Sequence, residues 1–195
     1  MREWLIKYSL ILGFFSLSNV LPAQTTGIRR FKISEGSDAT KILTIYKSNQ
    51  GFIYAGTVKG LYKFDGTKFT PVPFQHPVDS PAVTSIFQDN QNQLWVGMQT
   101  GDIAKLVNNH LKFFTPEEGT PKKPITAFLQ DRKNNIWFAT DGEGIFYITN
   151  NHQYNINSSD GLGSGNSESS VYSLTLSDDE EVLAGSDQGI SICKI

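Results

Sequence analysis

Gln93-Leu94-Trp95-Val96-Gly97-Met98 decides the fold of this chain, because the same pattern occurs four times. It returns as Phe52-Ile53-Tyr54-Ala55-Gly56-Thr57, as Asn135-Ile136-Trp137-Phe138-Ala139-Thr140 and as Glu181-Val182-Leu183-Ala184-Gly185-Ser186. The small residue of each copy (Gly56, Gly97, Ala139, Gly185) follows the last by 41, 42 and 46 residues. A fixed period of this size is the mark of a repeat architecture.

Working outward, each copy is preceded by an apolar run: Ile42-Leu43-Thr44-Ile45-Tyr46, Val83-Thr84-Ser85-Ile86-Phe87, Ile125-Thr126-Ala127-Phe128-Leu129 and Val171-Tyr172-Ser173-Leu174-Thr175-Leu176. A third run follows a short polar turn, at Leu61 to Phe64, Ile103 to Val107, Ile145 to Thr149 and Ile190 to Cys193. Three copies continue through Asp65-Gly66, Asn108-Asn109 or Asn150-Asn151 into a fourth run. The runs are short and rich in Ile, Val, Tyr, Phe and Trp, which is strand chemistry. Asp-Gly and Asn-Asn supply the positive-φ residues of two-residue hairpins. Each copy therefore reads as an antiparallel meander of strands A to D.

Ile136-Trp137-Phe138-Ala139 has no polar alternate, so its strand must be covered on both faces. One meander cannot cover itself, whereas stacked copies cover each other. Four strands per copy and a period near 42 predict an all-β fold, a β-propeller with four four-stranded antiparallel blades. Small residues at the repeated Gly/Ala position let neighbouring backbones approach closely. The blades are expected over residues 39–70, 82–114 and 124–156, with an incomplete fourth over 170–195. Residues 28–34, before Glu35-Gly36, resemble the end of a copy and read as a lone D-type strand. Two arrangements follow: a closed four-blade ring completed by that strand, or an open arc of a larger ring. Ile195, with no polar cap after the last run, favours the arc.

The first 23 residues read differently. Arg2 and Lys7 precede the largely apolar stretch Ser9 to Val20, and Leu21-Pro22-Ala23 precedes Gln24. This is the layout of a secretory signal peptide over 1–23, cut after Ala23, and it predicts a periplasmic or otherwise exported protein. Residues 24–195 are the propeller repeats. With 38% apolar and 18% charged residues, the 195-residue chain has the composition of a folded globular protein. A net charge of −2 leaves no basic excess for nucleic acid. One cysteine, Cys193, excludes an intrachain disulfide, a zinc ribbon or a Cys-x-x-Cys site, and reads as a small buried apolar side chain.

Ile86-Phe87-Gln88-Asp89-Asn90-Gln91-Asn92-Gln93-Leu94-Trp95-Val96-Gly97 and Phe128-Leu129-Gln130-Asp131-Arg132-Lys133-Asn134-Asn135-Ile136-Trp137-Phe138-Ala139-Thr140 resemble two-component regulator propeller repeats. Gly60-Leu61-Tyr62-Lys63-Phe64-Asp65-Gly66 resembles the end of that motif, and the fourth copy departs from it, with Leu183 where Trp is expected. The resemblance implies a seven-bladed ring in the periplasmic sensor of a histidine kinase, commonly one that senses oligosaccharides. A β-sandwich, a membrane helix and kinase domains normally follow such repeats and are not in this sequence. The resemblance therefore implies a truncated or short member rather than a kinase.

Asp89 and Asp131 recur after strand A; carboxylates there suit acid–base chemistry, but the position reads better as an Asx-type turn. His110 and His152 lie one period apart, too far for one metal ion, and Asp178-Asp179-Glu180-Glu181 lacks the alternating spacing of a calcium loop. Ser164-Gly165-Asn166-Ser167 resembles a nucleophile elbow only superficially, since the required Gly-x-Ser-x-Gly is absent. Trp95, Trp137 and Tyr54 have the chemistry to stack on sugars; their repeated mid-strand position reads instead as packing between blades.

In an up-and-down blade the B–C loops and D–A connections share one end, and loops on a rigid scaffold carry function. Phe74, Gln99, Asp102, Asp141, Glu143, Asp187 and Gln188 lie there and offer amides, carboxylates and an exposed aromatic to a hydroxyl-rich ligand. The expected function is ligand sensing, with a small-molecule or oligosaccharide ligand, no chemistry and no cofactor. The expected partners are further blades, a sensor kinase, or a second copy through open end blades. The alternatives are a periplasmic lyase or hydrolase and a structural adhesion fragment. An enzyme would need converging groups, and the B–C loops supply Asp141, Glu143 and Asp187 without Arg or His.

Overall fold

The computed structural model describes residues 27–35, 38–79, 81–162 and 169–194. The expected signal peptide, the Ser164–Ser167 stretch and Ile195 lie outside the described residues. The chain divides into two compact units, Met1–Phe31 and Lys32–Ile195. Of the first, residues 27–31 are described and carry no strand or helix. The second holds the repeats and is described below.

A two-residue strand pair, β1 (Ser34–Glu35) and β2 (Asp38–Ala39), precedes the first blade. Blade 1 comprises β3 (Ile42–Lys47), β4 (Ile53–Thr57), β5 (Gly60–Phe64) and β6 (Phe69–Val72). Blade 2 comprises β7 (Val83–Gln88), β8 (Leu94–Met98), β9 (Ile103–Val107) and β10 (His110–Phe114). Blade 3 comprises β11 (Ile125–Gln130), β12 (Ile136–Gly142), β13 (Ile145–Thr149) and β14 (His152–Ile156). Blade 4 has three strands among the described residues: β15 (Ser169–Leu176), β16 (Val182–Ser186) and β17 (Gly189–Cys193). Within each blade, successive strands pair antiparallel.

The segment read as a lone D-type strand over 28–34 is a correction. Residues 27–33 are not in strand conformation, and Ser34–Glu35 pairs with Asp38–Ala39 rather than with β17. Ile33 instead packs on Ala55, Tyr62 and Phe69 of blade 1. Closure into a four-blade ring fails with it. β3 packs on β7, β7 on β11 and β11 on β15, but no comparable packing joins β15 to β3 among the described residues. The repeats form an open arc.

The C–D turns split by sequence. Asn108-Asn109 and Asn150-Asn151 each take two positive φ values, 49° and 63°, then 50° and 67°, which is the two-residue turn their amide side chains favour. Asp65-Gly66 does not: Phe64 pairs with Phe69 across four residues. The Asp65 carboxylate explains the longer turn, since its Oδ1 accepts from Thr67 N, Thr67 Oγ1 and Lys68 N. Pro71 sits in β6, an edge strand, where its missing N–H costs no ladder bond.

Three apolar clusters fill the spaces between blades. Tyr54 and Leu61 meet Val83, Leu94 and Val96 between blades 1 and 2. Trp95 and Ile103 meet Ile125, Ile136 and Phe138 between blades 2 and 3, and Trp137 and Ile145 meet Val171 and Val182 between blades 3 and 4. Every residue of β8 is buried, as a strand covered on both faces requires. Each large apolar side chain so buried contributes roughly 1.5–3 kcal/mol.

The repeated small residue carries a steric necessity. A Cβ on Gly97 would fall 2.5 Å from Ile125 Cβ of the next blade, and one on Gly56 would fall 2.6 Å from Val83 Cγ1. Strand A of every blade also carries a register irregularity near its start, between Ile42 and Thr44, Val83 and Ser85, Ile125 and Ala127, and Val171 and Ser173. There Thr84 Oγ1 donates to Ile125 O at 2.7 Å and Thr126 Oγ1 donates to Val171 O at 2.5 Å, so a hydroxyl ties blade 2 to blade 3 and blade 3 to blade 4.

Candidate functional site

The seven residues singled out on the B–C/D–A end do not gather around one cavity. Phe74 leaves β6 in a connection that adds to the outer edge of blade 2: Leu111 N donates to Pro73 O at 2.8 Å and Gln75 N donates to Leu111 O at 2.9 Å. Its ring stacks on Phe113 at 5.6 Å between centroids. Phe74 is half-buried against the blade 1–2 core rather than the exposed aromatic expected. It does border a cleft of about 420 Å³ whose wall includes Lys59, Tyr62, His76, Pro77 and Pro81.

Gln99 and Asp102 shape the blade 2 loop. Gln99 N donates to Ala82 O, and the Asp102 carboxylate accepts from Thr100 Oγ1 at 2.6 Å. Gly101, between them, has φ 92° and lies against the Pro121 carbonyl, a place a side chain would block. In blade 3, Asp141 is not in a free loop. β12 runs on through Asp141 and Gly142 to pair with Ser170 and Ser169 of β15. Glu143 Oε2 accepts from Lys122 N at 2.9 Å and its main-chain O accepts from Asn155 Nδ2. Asp187 and Gln188 are exposed in the blade 4 loop. The structure thus brings Glu143 to Lys122, beside the Pro121 that meets Gly101, and leaves Phe74, Asp187 and Gln188 apart from them.

A hydroxyl at the end of strand B, missed in the sequence, sets these loops. Thr140 Oγ1 donates to Gly144 O at 2.8 Å and accepts from Glu143 N. Thr57 bonds Gly60 O and Lys59 N, and Ser186 bonds Gly189 O and Gln188 N in the same way. Met98 breaks the series, and the Thr100–Asp102 bond stands in for it. The signal was the Thr/Met/Thr/Ser column immediately after the repeated Gly or Ala.

At the opposite end a cleft lies between each two neighbouring blades. Between blades 1 and 2, Phe52, Tyr54, Lys63 and Asp65 line about 320 Å³, with Lys63 Nζ 3.5 Å above the Phe52 ring. Between blades 2 and 3, Lys105 Nζ lies 4.1 Å above Trp95. Burial lowers the Lys105 pKa, with Asp89 acting in the other direction. The aromatic residues here are packing, as their position predicted. Asp89 and Asp131 close A–B turns and accept from the Trp95 and Trp137 indoles. His110 and His152 are separately engaged, His110 with Asn108 O and His152 with Glu118 Oε1 at 2.9 Å. Among the described residues no group of three or more His, Cys, Asp and Glu side chains is placed to hold a metal ion. Burial pushes the Cys193 thiol up, the side chain packing partly buried against the blade 3–4 core.

Four-stranded meanders stacked side by side through two-sided cores define an arc of a β-propeller. Residues 77–100 and 119–142 match the family model described as two component regulator propeller, each match running from a D–A connection through strands A and B. Those two segments carry the two-component regulator propeller repeat pattern. No curated protein sequence matches it significantly. Among solved structures, the chain is similar to the extracellular domain of BT4673 from B. thetaiotaomicron, assigned as a one component system (TM-score 0.65, 21% identity, 79% of this chain and 21% of that one). It is also similar to the extracellular domain of BT3049, assigned as a hybrid two component system of the same organism (TM-score 0.58, 20% identity, 78% and 20%). A third is virginiamycin B lyase of Staphylococcus aureus (TM-score 0.60, 17% identity, 84% and 59%). The chain spans about a fifth of the length of the two extracellular domains. At these identities the likeness is one of fold.

Proposed function

We propose that this chain is an exported, ligand-sensing propeller segment of a signal-transduction receptor, without chemistry of its own. The observation that carries the reading is the pair of two-component regulator propeller repeats at 77–100 and 119–142. The extracellular domains that share the fold support it, as does the sequence pattern of residues 1–23. The ligand is a hydroxyl-rich small molecule, such as an oligosaccharide, held at the B–C/D–A end. Gln99 and Asp141 are exposed there and offer amide and carboxylate groups. The cleft beside Phe74 adds an aromatic edge, and His76 a donor or acceptor.

Titration calorimetry with a panel of oligosaccharides tests the reading. Saturable heat with one class, weakened at least tenfold by Gln99→Ala or Asp141→Ala, is the expected result. Heat with no class counts against it.

A second reading, a lyase or hydrolase, rests on the fold shared with virginiamycin B lyase. It is disfavoured because the Glu143 carboxylate is taken up by Lys122 N, and Asp141, exposed at the end of β12, lines none of the clefts described above with it. Turnover of any antibiotic or glycan substrate, lost in Asp141→Asn, would reverse the preference.

A further inference from the structure

The clefts at the A–B/C–D end repeat one plan with different charges. Strand C places Lys63, Lys105 and Tyr147 at the same position, each opposite the strand B aromatic, Tyr54, Trp95 or Trp137. Two residues further, on the same face, come Asp65, Val107 and Thr149. Between blades 1 and 2 the Asp65 carboxylate lines the cleft together with Lys63. Between blades 3 and 4 the strand C position holds Tyr147, and the cations of the cleft, Arg132 and Lys194, pair with Glu180 and Glu181.

Between blades 2 and 3 a cation is left over. Lys105 Nζ lies 4.1 Å from the centre of the Trp95 ring and 4.5 Å from that of Phe114, on a half-buried side chain. Val107 stands where blade 1 has Asp65. The carboxylate in the wall is Asp89, which is buried and already engaged: Oδ1 accepts from Gln91 N and Gln93 N, and Oδ2 accepts from the Trp95 indole. Among the described residues Lys105 Nζ makes no hydrogen bond or ion pair. Aromatic faces attract an ammonium, but its N–H donors still lack an oxygen.

The rest of the wall suits hydroxyls. The cleft measures about 420 Å³, inside the range of roughly 300–1,000 Å³ that small-molecule sites occupy. Gln91, Thr149, Asn150 and Asn151 border it, and their side chains make no hydrogen bond among the described residues. Asn150 and Asn151 are fixed by the two-residue turn between β13 and β14. Exposed Lys133 brings a second positive charge to the rim. Both walls belong to complete four-stranded blades with a neighbour on either side.

We propose that this cleft binds a small hydroxy acid of monosaccharide size, its carboxylate on Lys105 Nζ and its hydroxyls on the Gln91, Asn150 and Asn151 amides. The carboxylate takes the place that Asp65 has one period earlier, and its bond to the ammonium is charge-assisted. This is a second site, at the end of the arc opposite Gln99 and Asp141, and it does not depend on a ligand being held there.

Titration of the 15N-labelled chain with sodium glucuronate at low ionic strength, followed through the Trp95 indole N–H resonance, tests this. A saturable shift that weakens as salt is raised is the expected result. Glucitol carries the hydroxyls without the charge and inorganic sulfate the charge without the hydroxyls; each is expected to bind about tenfold more weakly. Lys105→Met keeps a stem over the rings and is expected to lose about tenfold in affinity. Val107→Asp places a carboxylate on the same face two residues from Lys105 and is expected to weaken glucuronate to a similar degree, whereas Val107→Asn leaves it unchanged. Val107 is exposed, so these two variants are expected to keep the far-ultraviolet circular dichroism of the parent even if Lys105→Met does not. Gln99→Ala and Asp141→Ala leave glucuronate binding as it was, which separates this site from the one at the other end. No saturable shift with glucuronate would overturn the proposal. Equal affinity for glucitol or sulfate, or an affinity indifferent to Val107→Asp, would overturn it too.

Discussion

Trp95 Nε1 donates to Asp89 Oδ2 at 2.8 Å, and one period on Trp137 Nε1 donates to Asp131 Oδ2 at 2.9 Å. Asp89 Oδ1 also accepts from Gln91 N and Gln93 N, so one buried carboxylate closes the A–B turn and fixes the indole that fills the space to the next blade. Asp89→Ala strands those donors and is expected to cost about 3 kcal/mol, read as a lowered urea midpoint. Ser48, the same position in blade 1, buries a hydroxyl that has no partner among the described residues. Ser48→Ala is therefore expected to change stability by less than about 1 kcal/mol, and upward if at all. A large loss in Ser48→Ala would refute the account of the column.

Gly97→Ala tests the close approach of blades. Its Cβ would lie 2.5 Å from Ile125 Cβ, an overlap that forces blades 2 and 3 apart at a cost of about 1–3 kcal/mol. Gly185→Ala meets only the rotatable Ser173 hydroxyl and Cβ, and is expected to lower the melting temperature less. Equal shifts at the two sites would contradict the interface geometry.

The Asp65 carboxyl titrates at about 2, held there first by the Thr67 hydroxyl and then by the Lys68 and Thr67 amides. A folded pKa below the unfolded value of about 3.9 means the turn gains stability above the unfolded pKa and loses it as pH falls through the folded one. Carboxyl NMR of the folded chain is expected to give a midpoint near 2 for Asp65. Thr67→Val is expected to raise it. An unchanged midpoint in Thr67→Val would remove the hydroxyl as the main cause.

Glu180 occupies the left-handed region at φ 65°, where the other A–B turns place Gly51, Asn92 and Asn134. That conformation costs a residue with a Cβ roughly 1–2 kcal/mol, and the exposed ion pair of Glu180 with Arg132 returns about 0.2–1 kcal/mol. Backbone strain outweighs the pair, so Glu180→Gly is expected to stabilise blade 4 by up to about 1 kcal/mol. Slower amide exchange in β16 and β17 would register it; faster exchange would show that the pair dominates.

The blades were legible because their pattern is written in residues that stacking makes obligatory: the small residue of strand B, the indole before it and the Asn-Asn turns. What escaped depends on partners distant in sequence. Nothing near Asp65-Gly66 announces that the carboxylate will close a four-residue turn. Asp141 and Glu143 look like loop residues until β15 pairs with the end of β12, because the neighbours that order them, Ser170 and Ser169, are 29 and 26 residues away. Phe74 looked exposed because its loop is polar and Pro-rich, yet the outer edge of blade 2 takes it as an added strand. The seven site candidates share an end of the arc by topology alone, which is why they align in sequence without converging in space.

Backbone pairing crosses between blades in two places, Phe74 on Leu111 and the end of β12 on β15. Among the described residues no backbone-to-backbone bond crosses from blade 2 to blade 3, where each hydrogen bond involves a side chain, as Thr84 Oγ1 to Ile125 O does. Mechanically the four copies are thus a pair of pairs with a seam down the middle. Heating is therefore expected to part the arc first at that join, through the Trp95 layer.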